Sequence, residues 1–342
     1  MSITQREIHD TFNALNKTAE YLESKWGDIE TMLANKNRFI FVGCGSSYYT
    51  AKSIAAICAM RTGKATLALA AGDILLHAPR YKKAIAGATV VLISRSGHTS
   101  ELIMALEALK TQDKTIATLA LIAADDTPLG NKCDLALTTP WSFDESVCQT
   151  RCVTNFYFMG AYIFAKHTGD QATMDDLHHL LRTGAGYIDE AEKLAKEISE
   201  LPWTHSVVLA DAELEGLAEE GALVFKEICC IPSNYYHVLD VRHGPIVLIG
   251  EKTLVIAALG TESELEQNLL KDLAKKGAKV IAFSDKPQKI EGTTNTTLAH
   301  PLTQTAKGIP FILLCQLIGY EKSKKTGANP DTPKGLDPWI KI

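Results

Sequence analysis

Short apolar runs alternate with stretches whose apolar residues recur at helical spacing, and the alternation is played out twice along the chain. In the first half, residues 38–42, 65–69, 88–94, 115–122 and 135–138 read as strands, and residues 46–60 and 99–110 read as helices between them. A helical arm to about residue 33 precedes this pattern, and a long helical stretch over 149–200 follows it. The second half predicts strands at 205–209, 253–258 and 279–284, with helices at 213–229, 262–276 and 305–326. In the 262–276 helix, Leu265, Leu269 and Leu273 fall on one stripe and Gly277 sits just past the end. Strands that are apolar throughout and separated by helices predict parallel sheets covered on both faces, so the fold class is α/β. The expected domains are an arm at 1–34, a first sandwich at 35–185, a second at 186–326 and a tail at 327–342. Pro330, Pro333 and Pro338 make that tail extended rather than helical.

Composition narrows the functional classes. A chain of 342 residues has room for a large core without disulfides or a structural metal. With 35 basic and 40 acidic residues and a net charge of -5, it lacks the basic surplus a nucleic-acid binder needs to neutralise phosphates. The eight cysteines form no C-x-x-C pair, which excludes a zinc ribbon or a thioredoxin-type site and predicts free, mostly buried thiols in a reducing compartment. The first ten residues carry no apolar leader, and the longest apolar stretch, around 309–320, is too short to span a bilayer. A cytoplasmic protein without membrane contact is expected.

Two strand-to-helix turns are rich in glycine and hydroxyls: Gly43-Cys44-Gly45-Ser46-Ser47 and Ser94-Arg95-Ser96-Gly97-His98-Thr99. Serine ahead of a helix is commonly a plain N-cap. Two such turns on one sheet edge, where helix N-termini offer amides, instead favour a phosphorylated small molecule. Neither a G-x-G-x-x-G fingerprint nor a Walker A motif occurs. A third segment, Asp144-Glu145-Ser146-Val147-Cys148-Gln149-Thr150-Arg151, reads equally as an acidic, hydroxylated helix start. In the second half Glu220, Val224 and Glu227 share a helix face, and His243 lies in an Arg242-His243-Gly244-Pro245 turn. A single helix glutamate is usually solvated, so it is the combination that points to acid–base chemistry.

Taken together with the Asn329-Pro330-Asp331 tail, these motifs resemble those of double sugar-isomerase (SIS) domain proteins, from about Arg38 to the end of the chain. The chain is similar to the isomerase half of glucosamine-6-phosphate synthase, and closer to phosphosugar isomerases, aminosugar-phosphate deaminases and fructosamine-phosphate deglycases. The resemblance implies two tandem αβα sandwiches, a homodimer, and no cofactor or metal. It implies that Ser47, Ser94, Ser96 and Thr99 hold the sugar phosphate, with Arg95 helping through its amide, and that Ser46, Val147, Thr150 and Glu220 line the substrate. Glu227 matches the carboxylate that moves a proton between C1 and C2, and His243 the imidazole that opens the ring. No glutaminase segment precedes these motifs, so ammonia delivery from glutamine is not implied. Val224 and Pro338 stand where the synthase has lysines, and His98 replaces an acidic residue; Lys334 or Lys341 could still reach the site from the tail. A substrate carrying its own amine needs no enzyme lysine, which favours deamination or deglycation of a hexose 6-phosphate. Plain ketose–aldose isomerisation and a phosphosugar-sensing regulatory module are the alternatives.

Overall fold

A computed structural model describes residues 1–261, 263–287 and 289–338. Glu262, named above as a helix start, and Lys341 lie outside the described residues. The chain forms two compact units, one of Met1–Leu181 rejoined by the tail from Gly335, the other of Arg182–Lys334.

In the first unit the arm consists of α1 (Ile3–His9), α2 (Thr11–Ser24) and α3 (Trp26–Leu33). There follow β1 (Arg38–Gly43), α4 (Ser46–Thr62), β2 (Ala65–Ala70), α5 (Ala71–Ile85), β3 (Thr89–Ser94), α6 (Ser100–Gln112), β4 (Ala117–Ile122), β5 (Leu135–Thr138) and α7 (Arg151–Thr168). The strands form a parallel sheet in the order β2-β1-β3-β4-β5. On one face Ile40, Val42, Val90, Leu92, Ala120 and Ile122 pack on Leu102, Leu106 and Leu109 of α6. Phe39 and Phe41 both meet Phe164 of α7 edge-on, at 5.9 and 6.0 Å between ring centroids.

Helix α5 was not foreseen: it starts directly at the end of β2, and its pattern is broken by Pro79 and a non-helical His77. Parallel pairing of β1 with both β2 and β3 nevertheless requires a crossover there. The long helical stretch over 149–200 is two helices, since Gly169 at φ 70 ends α7 and α8 (Gln171–Ser199) begins after it.

The second unit holds β6 (His205–Leu209), α9 (Glu215–Ile228), β7 (Ser233–Tyr236), β8 (Thr253–Ala258), α10 (Glu264–Lys275), β9 (Lys279–Ser284), β10 (Thr293–Thr297) and α11 (Gln304–Thr326). Its parallel sheet runs β10-β9-β8-β6-β7. The edge strands β7 and β10 read Ser-Asn-Tyr-Tyr and Thr-Thr-Asn-Thr-Thr, so no apolar run announced them. In α10 the buried stripe is Leu269, Leu270 and Leu273, whereas Leu265 is 61% exposed. Both units are thus αβα sandwiches in which the chain leaves its first strand to one side and then crosses to the other. This creates a topological switch point between β1 and β3, and another between β6 and β8. Among the described residues no helix is long and apolar enough to cross a membrane.

Helices α4 and α7 approach closely because Gly160 has no side chain: a Cβ there would lie 2.5 Å from Ile54 Cγ1. Gly160→Ala gains about 1 kcal/mol of helix propensity but forces Ile54 out of its seat, at about 1–3 kcal/mol. A net loss of stability in urea titration is the expected outcome.

Candidate functional site

The first switch point is built by backbone constraints that glycine alone meets. A Cβ on Gly43 would fall 2.5 Å from the carbonyl carbon of Ser47, so the end of β1 can lie against the first turn of α4 only without a side chain. Gly45, at φ 52 and ψ -127, turns the chain into that helix. Next to it, β3 delivers Ser94, whose Oγ accepts from the Gly97 amide at 2.9 Å, and Ser96, whose Oγ accepts from the His98 amide at 3.1 Å. Gly97 takes φ 65 with Thr127 directly behind it. Thr99 is the N-cap of α6, and its side chain makes no cap bond to the first-turn amides. Ser46 and Ser47, each 5% exposed, start α4. The structure therefore gathers Ser46, Ser47, Ser94, Ser96 and Thr99 at the adjoining ends of β1 and β3, where two helix N-termini supply partial positive charge. The Cys44 thiol in the same turn is pushed up to about 12, by burial first and the Glu101 carboxylate second, so it is no nucleophile at neutral pH.

Arg95 does not point its charge into this turn. Its buried guanidinium donates from Nη1 to the carbonyls of Ser146 (2.6 Å), Val147 (3.2 Å) and Asp144 (3.4 Å), and from Nη2 to the carbonyl of Pro338 (2.6 Å). One side chain thus ties the second hydroxyl loop to the segment holding Val147 and Thr150 and to the tail. That segment is also fixed by Asp144, whose Oδ2 accepts from the amides of Thr150 and Cys152 at 2.8 and 3.0 Å. Glu7, from the arm, reaches the same segment and accepts from the Glu145 amide at 2.5 Å. No motif in residues 1–34 announced Glu7, because its partners are more than a hundred residues away.

The second unit repeats the switch-point topology and fills it with its own charge. Glu266 Oε1 accepts from the Gly260 amide at 2.8 Å; its Oε2 accepts from the Ser263 amide at 2.8 Å and the Thr261 hydroxyl at 2.9 Å. Burial works to raise the pKa of this carboxyl, but the amides of Gly260 and Ser263, with Thr261, outweigh it and hold it below the ordinary glutamate range. Lys307, also buried, donates to Asp285 (2.7 Å) and to the Leu259 carbonyl (3.2 Å), and Thr305 donates to Glu213 (2.9 Å). The Ser263-x-x-Glu266 spacing is a capping-box signature that was available in the sequence.

On α9 the shared face divides. Glu220 is 1% exposed and lies near Cys315, while Val224 packs against α11, where a Cβ on Gly319 would come within 3.0 Å of it. Val224 is thus a packing residue. Glu227 is half-buried on the flank of the same helix. His243, exposed, follows the 3-10 turn Asp240–Arg242, with its amide donating to Asp240 O at 2.8 Å. Among the described residues no cluster of histidine, cysteine and acidic side chains could hold a metal ion.

Residues 32–164 match the SIS domain. Over 98% of the chain, 26% of residues are identical to the glutamine–fructose-6-phosphate aminotransferase of Methanothermobacter thermautotrophicus, and the chain spans 57% of that protein's length. A D-galactosamine-6-phosphate deaminase of Shewanella is 25% identical over 86% of the chain and 77% of its own length. Among solved structures, a glucosamine-6-phosphate deaminase from Thermotoga maritima superposes with a TM-score of 0.81 at 25% identity, covering 99% of both chains. A tagatose-6-phosphate ketose/aldose isomerase from Escherichia coli gives 0.82 at 22% identity, over 99% of this chain and 97% of its own, a likeness of fold.

A carboxyl whose pKa is lowered by folding adds stability above its unfolded value, near 4.3, and loses it as pH falls through the folded value. Glu266→Gln should therefore cost about 1–3 kcal/mol at neutral pH and flatten the acid limb of the stability curve. Denaturant titrations across the acid range check both.

Proposed function

We propose that the chain is a sugar-phosphate enzyme that deaminates or deglycates an amino or glycated hexose 6-phosphate. The observation that carries this reading is the contrast between the two switch points. One is closed by the carboxylate of Glu266; the other presents the hydroxyls of Ser47, Ser94, Ser96 and Thr99 and two helix N-termini to whatever anion enters. A phosphate group suits that donor set, which needs no basic side chain.

In this reading Glu227 transfers the proton between C1 and C2, and His243 assists ring opening. For a 2-amino aldose, moving the C2 proton to C1 produces a ketose imine, and water then releases ammonia and the ketose phosphate. For a glycated amine, moving the C1 proton to C2 produces an aldose imine, and water releases the amine and the aldose phosphate. Both routes use nitrogen brought by the substrate. That Val224 is a packing residue and that the tail offers the Pro338 carbonyl to Arg95 support such a lysine-independent route. The names of the similar deaminases point the same way.

Screening amino and glycated hexose 6-phosphates for ammonia and amine release tests the reading. Each charge-assisted hydrogen bond lost in Ser96→Ala or Thr99→Ala is worth about 1.5–3 kcal/mol, so KM should rise roughly 10- to 100-fold in a folded protein. Glu227→Gln should abolish solvent deuterium exchange at C1 and C2, and His243→Ala should slow cyclic substrates more than acyclic ones. Interconversion of ketose and aldose phosphates without nitrogen release, with a borohydride-trapped adduct on Lys334 or Lys341, would establish plain isomerisation instead. Tight binding without turnover would establish a sensor.

A further inference from the structure

The segment from Asp144 to Cys152 is held from the arm by a group that the proton count shows to be unusual. Glu7 is 1% exposed, and its Oε1 accepts from the amides of Glu145 (2.5 Å) and Ser146 (3.2 Å). Its Oε2 is in hydrogen-bond contact with Ser146 Oγ, and that same Oγ lies 2.8 Å from the carbonyl oxygen of Cys148. A carbonyl can only accept, and a hydroxyl has one proton to give. If the Ser146 proton goes to Cys148 O, the contact with Glu7 Oε2 needs a proton from the acid. With Glu7 ionised, that one proton is shared between Cys148 O and the carboxylate. The neutral acid gives each of the four contacts a proton of its own: Oε1 accepts two amides, Oε2–H donates to Ser146, and Ser146 donates to Cys148.

We propose that Glu7 is a positioning residue that clamps the 145–148 loop as a neutral carboxylic acid. The proposal rests on the reading above in one respect, that this loop lines the sugar through Val147 and Thr150. The charged groups around Glu7 fit a neutral acid. Asp144, on the loop, accepts from two amides with Oδ2 and turns Oδ1 to Arg151 Nε at 3.7 Å, an arrangement that suits an ionised carboxylate. Arg151 is shared with Asp10 from the start of α2, and the Arg95 guanidinium is spent on backbone carbonyls. Glu145 pairs on the surface with Arg6 of α1 at 2.9 Å. Two carboxylates facing a single shared arginine resist ionising together in a buried space, and the two contacts of the Ser146 hydroxyl favour the proton on Glu7. Burial, the largest cause in each case, raises the pKa of Glu7 and of Asp144 alike.

Glutamine reproduces the neutral acid, with Oε1 accepting and Nε2 donating to Ser146, so Glu7→Gln and Glu7→Ala separate clamping from mere packing. In infrared difference spectra at mildly acid pH, the wild type should show a protonated-carboxyl stretch that vanishes in Glu7→Gln. A carboxyl whose pKa burial raises, as at Glu7, adds stability below its unfolded value, near 4.3, and that stability is lost as pH rises through the folded value; Glu7→Gln should flatten this slope. Exchange of the Glu145 and Ser146 amides should stay slow in Glu7→Gln and quicken in Glu7→Ala. Sugar-phosphate KM should rise roughly tenfold in Glu7→Ala and stay near wild type in Glu7→Gln, with inorganic phosphate affinity unchanged in both. A carboxyl stretch that persists in Glu7→Gln, or amide exchange unaltered in Glu7→Ala, overturns the proposal. If no sugar phosphate is turned over, the functional reading fails, and the stretch and the exchange rates still decide the role of Glu7.

Discussion

The architecture turns on what satisfies the backbone amides at the carboxyl ends of parallel strands. Where a sheet's strand order reverses, two strand ends splay their connections to opposite faces and leave helix N-termini without intrahelical acceptors. Each unit has one such point. In the second unit Glu266 provides the acceptor from within the chain and the nest is complete as folded. In the first unit the corresponding place is lined by hydroxyls and close-packed glycines, beside a Glu101 carboxylate whose charge reaches the Cys44 thiol. The same topology is thus capped by an internal carboxylate in one copy and lined by hydroxyls in the other, a difference made by a few side chains on a common backbone plan.

A loop built of glycines and hydroxyls must be held still by other parts of the chain. In the first unit that task falls to a buried network rather than to apolar packing. Arg95 gathers four backbone carbonyls from two distant parts of the chain, Asp144 gathers two amides, and Glu7 gathers two more from the arm. These buried charged groups are held by backbone amides and carbonyls, while Arg95 Nε and Asp144 Oδ1 have no hydrogen-bond partner among the described residues, and removing one partner leaves the others uncompensated. Arg95 shows what local sequence leaves open: the sequence assigns only its amide to the anion, and the structure commits its guanidinium to carbonyl oxygens.

The sequence by itself determined the layering. Apolar runs such as Phe39-Ile40-Phe41-Val42 and Thr89 to Ser94 are buried on both faces and could only be interior parallel strands, and the hydroxyl turns that follow them were legible as strand-to-helix corners. The fold class and the candidate phosphate turns came from that local periodicity, with the family resemblance adding roles for Glu227 and His243. Edge strands β7 and β10 were illegible because half their surroundings are solvent, which removes the selection for apolar side chains. Helix α5 was hidden by Pro79, and its presence followed from the crossover, a constraint of topology rather than of residue preference. Tertiary structure alone decided that Val224 packs against α11, that Leu265 faces solvent, that Arg95 serves the backbone, and that Glu7 belongs to a loop more than a hundred residues away. Periodicity reports which side of an element is buried, whereas the partner of a buried polar group is set by where distant segments meet, and no local pattern carries that information.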